Sequence, residues 1–349
     1  MRSAAQPRKV ASWKDGRVIG FCKNVYLTIR ISTLGFTLLL PLLGAVSAQR
    51  GLTGTTILSM VAVGLAFHIF AYVLNDVADL WLDRTEPLRG DSPLVQGAIG
   101  RREALWLALS QPPWAFALAL LAGVSLSAVL MLAAAILALA GYDLYGKRCP
   151  WPLLTDALQA AGWCALVLFG ALAQAPSLRA DAPWLLAYVF IYVLLMTAIH
   201  GGVRDLANDF ARGARTSAIW LGARPSGGSG VKLSRTLTAY GLLLQGALVA
   251  SGLLALDSLE HVQGGRWLAG LLVVAGLSVS TVTLLALFMR LGNRRDLVAA
   301  GTWHAVVTLA VLPALYLPML SPTGAAAVLA AFALPAIAMY LYNGSHWCL

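Results

Sequence analysis

The chain has 349 residues, of which 59% are hydrophobic and 11% are charged, whereas roughly 25% of the residues in an average soluble domain are charged. Its 25 lysines and arginines against 15 aspartates and glutamates give a formal net charge of +10. This composition excludes an ordinary soluble domain and indicates a polytopic membrane protein. The four cysteines are scattered without a C-x-x-C spacing and do not predict a disulfide framework or a zinc site.

Ten apolar stretches each have about the length, roughly 20 residues, that a helix needs to cross a bilayer. They run through residues 26–48, 55–82, 103–123, 125–145, 154–174, 184–204, 233–256, 267–289, 296–317 and 324–341. The last stretch leaves the count open, so we predict nine to ten transmembrane helices. Because these runs lack the alternation of a membrane barrel, the predicted fold class is all-α, a polytopic membrane helical bundle.

The chain is predicted to form one membrane domain, residues 26–342, between a basic N-terminal tail, residues 1–25, and a short C-terminal tail, residues 343–349. Lysines and arginines are concentrated before the first span and in every second loop after it. By the positive-inside rule these segments face the cytoplasm, which predicts an integral protein of the cytoplasmic membrane with both ends inside the cell. The same rule explains the basic balance, so no nucleic-acid partner is predicted.

The second span ends in an acidic motif, Asn75-Asp76-x-x-Asp79-x-x-x-Asp83. The three aspartates are spaced i, i+3 and i+7 and therefore share one face of a helix. Carboxylates at a membrane edge are costly to desolvate, so such a cluster indicates function. Three mutually repelling carboxylates call for a cation, and hard oxygen ligands suit Mg²⁺.

A second acidic motif, Arg204-Asp205-x-x-x-Asp209, stands at the end of the sixth span. Its aspartates are spaced i and i+4, and the motif lies four spans after the first, on the same predicted side of the membrane. This placement indicates two related halves that face each other across a central cavity opening to the cytoplasmic face. Two opposed carboxylate groups can hold Mg²⁺ ions that complete their coordination with phosphate oxygens, and neighbouring basic residues would clamp a diphosphate.

With these motifs the chain resembles the UbiA superfamily of intramembrane prenyltransferases. The resemblance extends to Glu86-Pro87-Leu88-Arg89, to Pro93-Leu94-Val95-Gln96-Gly97, to Arg212-Gly213-Ala214-Arg215-Thr216, to a segment with Tyr142, Tyr145, Lys147 and Arg148, and to Arg30, Pro41 and Gly44 near the first span. It implies a helical bundle that binds an isoprenyl diphosphate through Mg²⁺ and transfers the prenyl group from it to an acceptor.

The resemblance also implies roles for individual residues. Metal binding falls to Asn75, Asp76, Asp79, Asp83, Asp205 and Asp209. Diphosphate binding falls to Arg89, Lys147, Arg148 and Arg204. Tyr142 or Tyr145 would hydrogen-bond the leaving group or shield the cation, and these two tyrosines join Asp76, Asp79, Asp205 and Asp209 as the predicted catalytic residues.

Four further polar residues within predicted spans have two interpretations. Asp156 and Gln159 suit either the cavity wall or hydrogen bonds between helices. His68 and His200 are interpreted as histidines of the bundle interior with both ring nitrogens bonded, rather than as catalytic bases.

The leading functional hypothesis is prenyl transfer to an aromatic or other lipophilic acceptor within the bilayer, with the acceptor itself unknown. The alternative is a terpene cyclase on the same scaffold, in which the cation reacts internally and no acceptor takes part. A transporter that couples the acidic residues to a cation gradient is a third possibility, but midplane charges are typical of transporters, whereas these acids stand at the membrane edge.

Overall fold

The computed structural model describes residues 20, 24–227, 230–259, 265–289 and 294–343. Its helices, in chain order, are α1 (Leu34–Ala48), α2 (Gly54–Asp83), α3 (Arg101–Leu121), α4 (Leu126–Tyr145), α5 (Pro152–Leu172), α6 (Ala182–Leu194), α7 (Leu206–Ala211), α8 (Ser217–Trp220), α9 (Arg235–Asp257), α10 (Gly265–Met289), α11 (Arg294–Tyr316) and α12 (Pro322–Asn343). Three short 3₁₀ turns lie at Ile31–Thr33, Pro87–Arg89 and Leu317–Met319. The two predicted tails lie almost wholly outside the described residues.

Within the described part of the chain, nine helices are long and apolar enough to cross a membrane, and a shorter apolar helix, Pro322–Pro335, follows them. This confirms the predicted all-α membrane bundle of nine to ten helices. The β structure in the described ranges is a two-stranded antiparallel pair, β1 (Arg224–Pro225) and β2 (Val231–Lys232), in which Arg224 is opposite Lys232.

Helix α2 determines where the first acidic motif lies. Its first turn is capped by Thr53, whose side chain accepts a hydrogen bond from the backbone N–H of Thr56. Its 30 residues rise about 45 Å at 1.5 Å per residue, which exceeds the hydrocarbon thickness of roughly 30 Å. The motif at the end of α2 is thereby placed at one end of the bundle, which we call the aspartate end.

Helix α1 forms part of the centre of the bundle, and Leu39, Leu40, Leu42 and Leu43 on it are fully buried. It crosses α5 at backbone contact. A Cβ added at Gly44 would lie 1.9 Å from the carbonyl oxygen of Val167, and one added at Gly170 would lie 2.0 Å from that of Pro41. Only glycine permits this approach, which is typical of packing between membrane helices.

Helix α6 does not continue as a regular helix to the second acidic motif. It passes into a π-helical segment at Leu195–Gly201 and a short turn at Gly202–Arg204, and the chain bends at Asp205 before α7 begins. Gly202 allows the segment to approach α8, because a Cβ there would lie 2.8 Å from that of Ala218. π-Helical turns are uncommon and often mark functional sites.

Candidate active site

A cavity of about 420 Å³ opens at the aspartate end, between α1, α2, α4, α5, α6, α11 and α12. Both acidic motifs reach its wall. The lining includes the predicted residues Asn75, Asp79, Asp83, Arg89, Tyr142, Lys147, Arg204, Asp205 and Asp209. The structure therefore brings together most of the residues that the sequence predicted as one site.

Lys147 joins the two motifs. Its Nζ lies 3.2 Å from Asp79 Oδ2 and 3.6 Å from Asp209 Oδ1. Burial lowers the pKa of this ammonium, but the neighbouring carboxylates of Asp79, Asp209 and Asp205 outweigh burial and raise the pKa above its usual range. Burial also raises the pKa of the Asp209 carboxyl to about 6, against the opposing effect of Lys147. A positive charge thus lies between the two carboxylates even without a metal ion.

Arginines pair with the rest of the first motif. Arg30 forms an ion pair with Asp76, and Arg89 lies 3.9 Å from Asp76 and 3.7 Å from Asp83. Arg30 has a left-handed backbone conformation with φ of 46°, which is uncommon for a residue with a side chain and accompanies functional sites. Burial, and then the nearby positive charge of Arg89, lower the pKa of Arg30 to about 9. A bound anion would favour the charged form of Arg30 and raise this pKa.

In the second motif Arg204 holds Asp205 through two hydrogen bonds of 2.8 Å. Burial alone would raise the pKa of the Asp205 carboxyl, but the Arg204 guanidinium lowers it to about 2. Asn208 ties this region to the end of α2, because its amide donates to the Leu82 carbonyl at 3.1 Å and its amide oxygen accepts from the Thr85 hydroxyl at 2.8 Å. The two motifs are thus linked by the hydrogen bonds of Asn208 as well as by Lys147.

Two predicted residues lie apart from this group. The Tyr145 side chain is 66% exposed on the outside of the bundle. Arg148 stacks on the Trp81 ring at 5.7 Å and donates to the carbonyls of Leu144 and Ala78. Neither residue is among those that line the cavity.

Aromatic side chains form the apolar wall below the charged groups. Phe36 lies 4.9 Å from Trp163 and 5.4 Å from Tyr192 between ring centroids, and Tyr72 lies 6.3 Å from Trp163. All four line the cavity. A wall of this kind suits a hydrocarbon chain, and the ring faces attract a cation.

Sequence reasoning gave no role in the site to Arg30 or Asp143. Asp143 is 6% exposed, accepts a hydrogen bond from Asn75 Nδ2 at 3.2 Å, and keeps its second carboxylate oxygen without a hydrogen-bond partner. The signal that could have found it was its place between Tyr142 and Lys147, as an acidic residue inside a predicted span. Arg30 is separated from Asp76 by 46 residues, so only the tertiary structure shows that they pair.

The histidines follow the interior interpretation only in part. His68 has both ring nitrogens bonded, Nδ1 to the Thr37 hydroxyl at 2.9 Å and Nε2 to the Ile29 carbonyl at 2.7 Å. His200 has its Nε2 atom 2.8 Å from His304 Nδ1, while its Nδ1 is buried without a hydrogen-bond partner beside the Gly301 backbone. One ring nitrogen of His200 therefore has no hydrogen-bond partner at the cavity wall.

Mg²⁺ fits the chemistry of the donor set, because all the predicted ligand atoms are hard oxygens and a cation is already favoured between Asp79 and Asp209. In the described ranges no three His, Cys, Asp or Glu side chains lie close enough together to hold a metal ion. Magnesium is often held by one or two carboxylates and completed by phosphate oxygens, so the arrangement suits a metal that binds together with a phosphate ligand.

Comparison with known proteins agrees with this geometry. Residues 37–287 match the model of the UbiA prenyltransferase family. This match covers more than two thirds of the chain and both acidic motifs, and the chain belongs to that family.

A digeranylgeranylglyceryl phosphate synthase of Thermococcus gammatolerans is 34% identical to the chain over 152 residues, which are 43% of this chain and 51% of that protein. The match thus spans about half the length of the curated relative. Two solved structures share the fold. An apo UbiA homolog from Aeropyrum pernix K1 has a TM-score of 0.63 and 19% identity, and the match covers 83% of this chain and 99% of the other. A UbiA homolog from Archaeoglobus fulgidus bound to GPP and Mg²⁺ has a TM-score of 0.60 and 15% identity, and the match covers 84% of this chain and 99% of the other.

Proposed function

We propose that the protein is an intramembrane prenyltransferase that uses Mg²⁺ to ionise an isoprenyl diphosphate and transfers the prenyl group to an aromatic or other lipophilic acceptor. The observation that carries this proposal is the meeting of two acidic motifs around Lys147, at the mouth of a cavity walled by aromatic side chains. One end of the cavity suits a charged diphosphate, and the remainder suits a hydrocarbon chain.

Asn75, Asp76, Asp79 and Asp83 on one side, with Asp205 and Asp209 on the other, would hold the metal. When bound, Mg²⁺ supplies positive charge that stabilises the departing diphosphate. Arg30, Arg89, Lys147 and Arg204 line the same mouth and would bind the diphosphate oxygens through charge-assisted hydrogen bonds. Tyr145 and Arg148 have no part in this proposal, because their side chains lie outside the cavity.

The aromatic wall has a second role in the proposed reaction. Breaking the bond between carbon C1 and the diphosphate oxygen leaves an allylic cation, which the faces of Phe36, Tyr72, Trp163 and Tyr192 would stabilise. Trp163 and Tyr192 are buried, and an apolar wall of this kind would keep out water that would otherwise capture the cation. Tyr142, which lines the same cavity, would hydrogen-bond the leaving diphosphate.

The comparisons support this proposal. A second structure of the Archaeoglobus fulgidus homolog is bound to DMAPP and Mg²⁺, and the curated relative is named as a synthase of a prenylated glyceryl phosphate. Neither the family match nor that name supports the alternative of a terpene cyclase. From the distribution of basic residues we also propose that the protein lies in the cytoplasmic membrane with the aspartate end toward the cytoplasm.

The proposal is tested by incubating the purified protein with Mg²⁺, farnesyl or geranylgeranyl diphosphate and a panel of aromatic and lipid acceptors, and measuring diphosphate release and product mass. We expect a prenylated acceptor, and we expect the Asp79→Asn variant to lower diphosphate release at least about 100-fold, as removal of a group that stabilises a leaving charge does. The matched control is Asp91→Asn, which makes the same change at an exposed residue that is not among those lining the cavity. A cyclic hydrocarbon formed without acceptor, or full activity of Asp79→Asn, would contradict the proposal.

A further inference from the structure

A carboxylate that the proposed function leaves unused lies in the cavity wall. Asp156 stands on α5, is 5% exposed and lines the cavity. Its Oδ2 accepts a hydrogen bond of 2.5 Å from the Ser217 hydroxyl, which holds the carboxylate in place. None of the ion pairs in the described part of the chain includes Asp156. A carboxylate inside a membrane helix without a cationic partner is costly and indicates a function.

Asp156 lies near the end of α5 that follows Lys147 in the chain. It is the fifth residue of α5, so it lies about 6 Å from the start of that helix. The chain just before α5 carries Lys147, and the Lys147 carbonyl accepts a hydrogen bond of 2.9 Å from the backbone N–H of Arg215, two residues before Ser217. Asp156 and Tyr142 both line this cavity. The carboxylate therefore lies immediately below the charged mouth, where C1 of a bound prenyl diphosphate would enter the apolar part of the cavity.

A second polar group continues this wall. Gln159 follows Asp156 by three residues and shares its helical face. Its Oε1 accepts a hydrogen bond of 2.7 Å from the hydroxyl of Thr197, in the π-helical segment, and Gln159 is among the residues that line the cavity. Asp156 and Gln159 thus form a short polar strip on one wall. This strip can accept a hydrogen bond, so it suits a hydroxyl group.

We propose that Asp156 is a catalytic residue that binds the hydroxyl of the acceptor and takes its proton, an inference that rests on the proposed prenyl transfer. The bond between C1 and the diphosphate oxygen breaks, and its electron pair leaves with the diphosphate. The acceptor oxygen then bonds to C1, and the hydroxyl proton passes to the Asp156 carboxylate. Gln159 holds the same hydroxyl by hydrogen bonding, and Ser217 is a positioning residue that fixes the carboxylate.

The test compares Asp156→Asn with wild-type protein. Asparagine keeps the size of the side chain and an oxygen for the Ser217 hydrogen bond but does not take a proton at neutral pH. We expect the rate of product formation to fall at least about 100-fold, within the range for loss of a general base. We expect binding of the prenyl diphosphate, measured with Mg²⁺ by calorimetry, to change less than about threefold, because Asp156 lies outside the charged mouth. The same charge change at Asp91 is the control.

Two pairs of acceptors test whether the reaction needs a hydroxyl group. A long-chain alcohol is compared with its methyl ether, and a phenol is compared with its methyl ether. We expect a hydroxyl compound to give an ether product and the matched methyl ether to give none. Product formed from a methyl ether at a comparable rate would overturn the hydroxyl assignment, and wild-type rates in Asp156→Asn would overturn the role of the carboxylate. Absence of any prenylated product from wild-type protein would instead overturn the proposed function, and this role with it.

Ser217→Ala gives a second test that keeps the carboxylate, and it applies even if Asp156→Asn does not fold. Without the hydroxyl the Asp156 side chain loses its only hydrogen bond among those described. We expect kcat to fall about tenfold with little change in KM for the prenyl diphosphate, as for a group that only orients a catalytic base. An unchanged kcat, or a loss confined to KM for the prenyl diphosphate, would contradict the positioning role.

Discussion

At the scale of single residues, the site is a set of carboxylates neutralised by arginines and a lysine from distant parts of the chain. Lys147 contacts both Asp79 and Asp209, and Arg30 pairs with Asp76. The residue types and the helical face of the first motif could be predicted, because they follow from spacing alone. The pairs could not, because they depend on which helices become neighbours.

The same limit explains why the sequence does not show which of several neighbouring side chains face the cavity. Tyr145 and Lys147 are two residues apart on one turn, and only the structure shows that Lys147 faces the cavity while Tyr145 is exposed. Asp156 could be predicted as a polar residue in a span, with two interpretations. The structure shows both, because Asp156 lines the cavity and also accepts a hydrogen bond from Ser217, which lies 61 residues away on another helix.

The raised pKa of Asp209 predicts a pH dependence of stability in the absence of divalent cations. Because the pKa is about 6 in the folded protein and 3.8 for a free side chain, the folded state favours the protonated form. That contribution is fully present below about pH 4 and is lost as the pH rises through about 6. Asp205, whose pKa is lowered to about 2, loses its contribution only as the pH falls through about 2, and so adds no change between pH 5 and 7.

We therefore expect the metal-free protein to have a higher Tm at pH 5 than at pH 7, and Asp209→Asn to reduce that difference. The measurement is thermal unfolding in detergent with a chelator at the two pH values. Asp91→Asn, at an exposed residue, serves as the control and should keep the wild-type difference. A difference in Asp209→Asn equal to that of wild type would show that Asp209 is not the group responsible.

At the scale of elements, the lengths of the apolar stretches predicted the bounds of the membrane-spanning helices closely. The second span was predicted at residues 55–82 and is Gly54–Asp83, and the fifth was predicted at 154–174 and is Pro152–Leu172. The break in the sixth span was not predicted. The π-helical segment Leu195–Gly201, the short helices α7 and α8 and the β pair carry no strong sequence signal, because tertiary contacts such as that between Arg215 and Lys147 hold them.

The crossing of α1 and α5 gives a prediction at this scale. Because a Cβ at Gly170 would lie 2.0 Å from the Pro41 carbonyl oxygen, Gly170→Ala must separate two buried backbones. Overpacking of a close-packed interior costs roughly 1–3 kcal/mol or more, so we expect a lower Tm and a lower yield of monodisperse protein.

Gly246→Ala on α9 is the matched control for that crossing, since a Cβ there would meet nothing within 4 Å. It should leave stability unchanged or raise it by up to about 1 kcal/mol, because alanine is the better helix former. Equal stability of Gly170→Ala and Gly246→Ala in thermal unfolding would be incompatible with the backbone contact described for α1 and α5.

At the scale of the whole molecule, the bundle brings two motifs that are far apart in the chain to one end of one cavity. Asn208, on α7, donates to the Leu82 carbonyl 126 residues away, which fixes the second motif against the end of α2. The sequence predicted that the motifs would face each other, since both follow spans that end on the same side. It could not predict that Lys147 would lie between them.

We infer that the two motifs act together as one Mg²⁺-dependent diphosphate site. The most direct measurement is calorimetric binding of a non-hydrolysable geranylgeranyl diphosphate analogue, with Mg²⁺ and with chelator, to wild type, Asp79→Asn, Asp209→Asn and the control Asp91→Asn. We predict Mg²⁺-dependent binding in wild type and the control, and a loss of at least about tenfold in affinity, roughly 1.4 kcal/mol, in each of the two site variants. Wild-type affinity in either site variant, or binding in wild type that is independent of Mg²⁺, would contradict the claim.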